Sequence, residues 1–79
     1  MKITQGMVDL MKSFSIMASC QDTIDELREI YRLGFVELGR LSRVETITPE
    51  QACSVTAFFR DVIRNEESRI ENTVSASEK

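Results

Sequence analysis

The longest run of helical periodicity in the chain is DTIDELREIYRLGFVELGRLSRV, residues 22–44. At 100° per residue its apolar side chains fall in one arc about 200° wide, whereas an ordinary surface helix carries a stripe of about 100°. One neighbouring helix cannot cover an arc of this width, so the pattern predicts at least two other helices packed against it. The arc contains Ile24, Leu27, Ile30, Tyr31, Leu33, Phe35, Leu38, Leu41 and Val44, with Gly34 inside it.

The sequence also marks where this central helix begins and ends. Asp22 or Thr23 can cap its first turn, because either side chain can accept a hydrogen bond from a free backbone N–H. Arg40 and Arg43 lie in the last turns, where the helix dipole favours positive charge. We therefore predict a helix over residues 23–45.

Two further helices are predicted, one on each side of the central helix in sequence. The third helix starts after Thr48, which is followed by Pro49 and then by Gln51 at the third helical position, the pattern of a capping box. Its apolar spacing continues to Ile70, so we predict a helix over residues 49–71. Residues 73–79 are small and polar and are expected to form a flexible tail. The first helix is predicted over about residues 4–20, with one face made of Met7, Leu10, Met11, Phe14, Met17 and Ala18.

Together these segments predict an all-α fold in which residues 1–72 form a single helical domain. The connections are short, so consecutive helices are expected to be antiparallel, and the second and third should form a long helical hairpin. A lone domain of 79 residues is marginal, and the apolar arc exceeds what one such chain can cover. We therefore expect a helical-bundle homodimer. The residues predicted for core or dimer packing are Leu27, Tyr31, Gly34, Leu38, Leu41, Phe58, Phe59 and Val62.

The composition argues against catalysis and metal binding. The chain has no histidine and two cysteines, Cys20 and Cys53, which are not at the spacing of a metal-binding pair. We therefore expect no enzyme activity, no metal and no cofactor. No run of about 18 apolar residues occurs and the N-terminus does not resemble a signal peptide, so a cytoplasmic protein that does not enter a membrane is expected.

The locally basic segment of this acidic chain lies on the polar side of the central helix. It carries four arginines, while the whole chain has a formal net charge of −3. Three of them have a carboxylate three residues earlier, so this side can be a solvated face with local ion pairs. The functional interpretation is a surface that binds an acidic partner or a phosphate backbone. The candidate partner-binding residues are Arg28, Arg32, Val36, Gly39, Arg40 and Arg43.

Two residues depart from the pattern of their helices. Gly39 lies near the polar side of the central helix, where glycine costs about 1 kcal/mol relative to alanine and no packing requires it. It is tolerated there, marks a kink, or lets a partner backbone come close. Glu66 falls inside the apolar face of the third helix. It is expected at the open end of the bundle, in an ion pair with Lys12 or an arginine of another subunit, or as a catalytic acid.

These features favour a small non-enzymatic protein of the adaptor, chaperone or inhibitor type, whose partners are a second copy of itself and a larger protein. Small acidic helical proteins include phage- and prophage-encoded inhibitors of host systems, anti-CRISPR proteins among them, and the likeness is one of size and charge only. The alternative is a nucleic-acid-associated regulator that uses the arginine patch doubled in a dimer. The negative net charge is not typical of a general nucleic-acid binder.

Overall fold

In the computed structural model the chain folds into three α-helices, and no β-strand occurs between residues 3 and 77. Helix α1 spans Gln5–Ser19, α2 spans Ile24–Val44 and α3 spans Pro49–Ser77. The structure describes the backbone of residues 3–77 and the side chains of residues 3–73. None of the described helices has the length and apolar character that crossing a membrane requires. The predicted all-α fold with three helices is confirmed.

Each helix begins at a threonine that caps its first turn. Thr4 Oγ1 accepts a hydrogen bond from the backbone N–H three residues later, at 3.1 Å. Thr23 Oγ1 accepts from the N–H of Glu26, and Glu26 Oε1 accepts from the N–H of Thr23, both at 3.1 Å. Thr48 and Gln51 repeat this reciprocal pair at the start of α3, at 3.1 and 2.9 Å. Such caps are each worth about 1 kcal/mol and fix where the helices start.

Helix α3 is longer than the sequence predicts. It continues to Ser77 rather than ending at residue 71, so residues 73–77 extend the helix instead of forming the predicted tail. Neither glycine nor proline follows Ile70, so the usual signals that end a helix are missing. Glu78 and Lys79, the last residues of the predicted tail, lie outside the described residues.

The three helices alternate in direction. Thr4, just before α1, donates from Oγ1 to Oε1 of Glu45, just after α2, at 2.6 Å, so α1 and α2 are antiparallel. At the other end of the bundle, Arg69 of α3 donates from Nη2 to the backbone oxygen of Gln21 in the α1–α2 connection, at 2.7 Å. Helix α3 therefore runs back along α2, and every pair of helices is in contact.

The core follows the common axis of the three helices, and Phe14, Gly34 and Phe59 meet near its middle. The Phe14 and Phe59 rings stack with centroids 4.1 Å apart and 25° between their planes. A Cβ on Gly34 would lie 2.7 Å from Cε2 of Phe14, so only glycine lets α2 come this close. The other buried apolar residues are Met7, Ala18, Leu27, Ile30, Leu38, Val55, Ile63 and Ile70.

A single chain covers more of the central helix than the sequence argument allows. Leu27 and Leu38 are both buried within the chain itself, so neither needs a second chain to shelter it. The uncovered part of the apolar arc lies at its two edges, where Phe35 is 44% exposed and Val44 is 86% exposed. Helices α1 and α3 therefore leave both edges of this arc open to solvent.

Candidate functional site

Helices α1 and α2 leave an open groove between them. Its volume is about 450 Å³, and all the residues that line it belong to these two helices. The buried residues Phe14, Ile30 and Gly34 form its floor. We call this surface the α1–α2 groove. Its apolar walls are Leu10, Met17, Leu33, Leu41 and Val44.

Close approach of α1 to α2 shapes one end of the groove. A Cβ on Gly6 would lie 2.8 Å from Cδ1 of Leu41 and 2.9 Å from Oε1 of Glu45. The hydrogen bond between Thr4 and Glu45 holds the same corner. Glycine at position 6 therefore leaves room for these two side-chain ends, which would have to shift if a Cβ were present.

Apolar atoms in and beside the groove face solvent. Val44 is 86% exposed and Met17 is 42% exposed, and Ile16 beside Met17 is 64% exposed. The three leucines of the walls are half-buried. Removing apolar surface from water contributes about 25 cal/mol per Å², so this groove favours contact with another apolar surface.

The rim of the groove carries three charged side chains. On α2, Arg40 donates from Nη1 to Oε1 of Glu37 at 3.1 Å. On α1, Asp9 accepts a hydrogen bond at Oδ1 from Nε2 of Gln5 at 2.9 Å, and no cation pairs with it among residues 3–73. The rim therefore offers a lone carboxylate on one wall and an ion pair on the other.

Five of the six predicted partner-binding residues lie together on the side of α2 that points away from the core, and all five are exposed. We call this side the outer face of α2: Arg28, Arg32, Val36, Gly39 and Arg43. The sixth, Arg40, lines the α1–α2 groove instead. The structure thus divides the predicted site between two surfaces.

Local ion pairs neutralise much of the positive charge of the outer face. Nη1 of Arg28 lies 3.8 Å from Oδ1 of Asp25, and Arg32 makes two hydrogen bonds to Glu29. The hydrogen bond between Arg32 and Glu29 raises the pKa of Arg32 and lowers the pKa of Glu29. Arg43 has no ion-pair partner in the described part of the chain. These pairs are exposed, so each contributes little to folding stability.

No packing contact in the chain accounts for Gly39. A Cβ at this position would meet no atom within 4 Å, and α2 continues through it to Val44 as regular helix. Val36, one turn earlier, is 39% exposed. The outer face therefore has a shallow depression at Gly39, beside the apolar side chain of Val36. Alanine would also fit at position 39.

The residues predicted for core or dimer packing divide into two groups. Leu27, Gly34, Leu38 and Phe59 are buried. The second group is half-buried and packs against the core: Tyr31, Leu41, Phe58 and Val62.

Glu66 pairs with an arginine of its own helix, a partner that the sequence argument overlooked. Its carboxylate binds Arg69 one turn later, and Arg69 also reaches the backbone of Gln21. Lys12, the cation proposed within the chain, is exposed and makes no ion pair among residues 3–73. The spacing of three between Glu66 and Arg69 was a usable signal for this pair.

The groove itself was missed by sequence reasoning. Its α2 wall is the edge of the wide apolar arc and its α1 wall is the edge of the methionine-rich stripe, but periodicity does not tell which edges end up side by side. Within residues 3–73, no three His, Cys, Asp or Glu side chains are grouped so that they could hold a metal ion. No protein-family model matches the chain, and neither the comparison with curated proteins nor that with solved structures finds a match.

Proposed function

We propose that the chain is a small non-enzymatic protein-interaction module, of the adaptor, chaperone or inhibitor type, that binds another polypeptide in the α1–α2 groove. The observation that supports this proposal is an open apolar groove whose wall residue Val44 is 86% exposed. Exposed apolar patches with polar rims mark interaction sites in soluble proteins. Asp9 and the Glu37–Arg40 pair supply such a rim.

An amphipathic helix is the element that best fits a groove between two antiparallel helices. Its apolar ridge packs between the side-chain rows of the two helices, at an interaxial distance of about 8–10 Å. Helix α1, which forms one wall of the groove, has 15 residues and is about 22 Å long, so a partner helix of about four turns spans the groove. Such a helix would complete a four-helix bundle.

We also propose a homodimer as the form in which the chain works in the cytoplasm. Self-association would cover the exposed edge of α2, which a chain of 79 residues leaves open. The outer face of α2 is the second candidate surface for a larger protein, with Val36 for apolar contact and Arg43 for an acidic group. Both thiols, Cys20 and Cys53, are free and exposed, which suits a reducing compartment.

The test begins with the capture of partners from cells of the source organism, followed by titration of the purified partner. Val44→Glu places a charge in the groove at a position that the core does not use. We expect it to weaken binding at least about tenfold, since an unpaired charge is buried at the contact. Circular dichroism should show unchanged helix content.

Val36→Glu separates the two candidate surfaces, because it makes the same change on the same helix but on the outer face. Full affinity in this variant together with loss in Val44→Glu places the partner in the groove. If Val44→Glu binds as tightly as the wild type and Val36→Glu does not, the groove is not the binding site and the outer face takes its place.

The nucleic-acid alternative is separated from this proposal by salt. Binding to a phosphate backbone weakens steeply as salt rises, and it would depend on Arg32 and Arg43. Arg32 already binds Glu29, which makes the outer face a poor phosphate site. Retention of the wild type on DNA or RNA at low salt, lost in the double variant Arg32→Glu and Arg43→Glu, would favour the alternative.

A further inference from the structure

We propose that the occupant of the α1–α2 groove is a second copy of this chain, related by a two-fold axis parallel to the helices, so that Asp9 of each copy meets Arg40 of the other. This inference rests on the proposed function, because it names the polypeptide that fills the same groove. It is carried by the register of the two helices, the charges on the rim and the size of the face.

Two contacts fix which levels of α1 and α2 lie side by side. Gly6 of α1 lies against Leu41, since a Cβ there would be 2.8 Å from Cδ1 of that leucine. Further along α1, Phe14 lies against Gly34. A Cβ on Gly34 would lie 2.7 Å from Cε2 of Phe14. The two helices are antiparallel, so every residue between these points on α1 has a counterpart between them on α2.

Asp9 and Arg40 fall between these two points, each nearer to the end marked by Gly6, so they lie at about the same level on opposite walls of the groove. A two-fold axis parallel to the helices preserves level while it exchanges the walls. It sets α1 of one copy opposite α2 of the other, again antiparallel. Each Asp9 then faces the Arg40 of the partner, and the contact occurs twice.

The free hydrogen-bonding capacity of these residues fits this contact. The guanidinium of Arg40 has five N–H donors, and its bond to Glu37 uses only Nη1. Asp9 has no cation of its own in the described part of the chain, so the partner's arginine would neutralise it. Charge-assisted bonds of this kind fix the register of an interface.

The face has the size of a small interface, which suits a weak, reversible dimer. It is about 22 Å long by the rise of α1 and no wider than the bundle, 20 Å, or roughly 440 Å² in projection. A standard interface buries about 800 Å² per partner, and side-chain relief raises accessible area above the projected value. The apolar walls would lie at the centre and the charged rim at the sides, as in other interfaces.

A charge swap tests the proposal. Analytical ultracentrifugation of the wild type should show a mass near twice 9.0 kDa, with a measurable dissociation constant. Asp9→Arg and Arg40→Asp should each weaken the dimer at least about tenfold, because like charges would meet twice. The double variant restores opposite charges at the wild-type net charge of −3, and its dissociation constant should return to within about threefold of the wild type.

Further variants keep the test independent of these two charges. Val44→Glu should give monomers, and Arg43→Asp, on the outer face, should leave the dimer intact. A wild type that stays monomeric at millimolar concentration would overturn the proposal. In that case, loss of a captured partner in Val44→Glu would still uphold the proposed function with a different occupant. A dimer whose charge swap is not rescued would refute the two-fold arrangement.

Discussion

Replacing Gly34 and Gly39 by alanine, one at a time, applies the same chemical change at two places on one helix with opposite expected results. At position 34 the new Cβ would lie 2.7 and 2.8 Å from two carbons of the Phe14 ring and 3.1 Å from Cε2 of Phe59. At position 39 it would meet nothing within 4 Å. The comparison therefore isolates the cost of a close contact from the cost of glycine in a helix.

The magnitudes follow from these distances. Alanine is favoured over glycine by about 1 kcal/mol in a helix interior, and this gain applies at both positions. Phe14 cannot easily retreat, because it is buried and stacked on Phe59 at 4.1 Å, and overpacking of such a site costs about 1–3 kcal/mol. We expect Gly39→Ala to stabilise the fold by about 1 kcal/mol and Gly34→Ala to destabilise it by up to about 2 kcal/mol.

Urea and thermal unfolding followed by circular dichroism, at one protein concentration, measure this difference. In a domain of this size 1 kcal/mol moves the melting temperature by about 4–8 °C. The variant Phe14→Leu supplies a second check, because leucine is smaller than phenylalanine. In that background Gly34→Ala should destabilise the fold less than it does in the wild type. Equal stabilisation by the two alanines would show that α2 does not pack on Phe14 as described.

Thr48→Ala removes the side-chain acceptor for the Gln51 N–H at the start of α3, and it should lower the free energy of unfolding by about 1 kcal/mol in urea titrations. Phe59→Ala removes a fully buried ring and should cost about 3–5 kcal/mol, measured by the same titration. NMR titration should give Glu29 a pKa below the ordinary value of a glutamate, because Arg32 binds its carboxylate, and Arg32→Gln should return the pKa to the ordinary range. Because the pKa of Glu29 is lowered in the folded state, the stabilisation by this pair is present above the ordinary glutamate pKa and is lost as the pH falls through the lower, folded-state pKa. Arg32→Gln should therefore flatten the loss of stability on acidification, which acid unfolding curves can check.

Much of the fold was predictable because its signals are local. The capping residues Thr23 and Thr48 lie next to the helices that they start, and the apolar spacing identifies each helix without knowledge of its neighbours. The end of α3 was not predictable, since the sequence after Ile70 contains neither glycine nor proline, the two strongest signals that end a helix. The groove was not predictable either, because its shape depends on how closely α1 approaches α2, and that distance is set only in the folded bundle.

The candidate site shows the same division. Periodicity placed the outer face of α2 on one side, and the structure finds its residues exposed there. Arg40 was grouped with them, although it lines the groove. A helical wheel of α2 alone does not show where α1 lies beside it. The pairing of Glu66 with Arg69 follows from their spacing of three residues, which favours a partner on the same helix over a distant cation.

The meeting of Phe14, Gly34 and Phe59 has a consequence for how the molecule comes together. Each of the three residues comes from a different helix. The stacked rings and their contact with Gly34 therefore form only when all three helices are packed together. A fragment without α3 would lack one ring, and a fragment without α1 would lack the other. We expect neither fragment to be stable by itself. Unfolding of the chain should be a two-state transition with no populated intermediate.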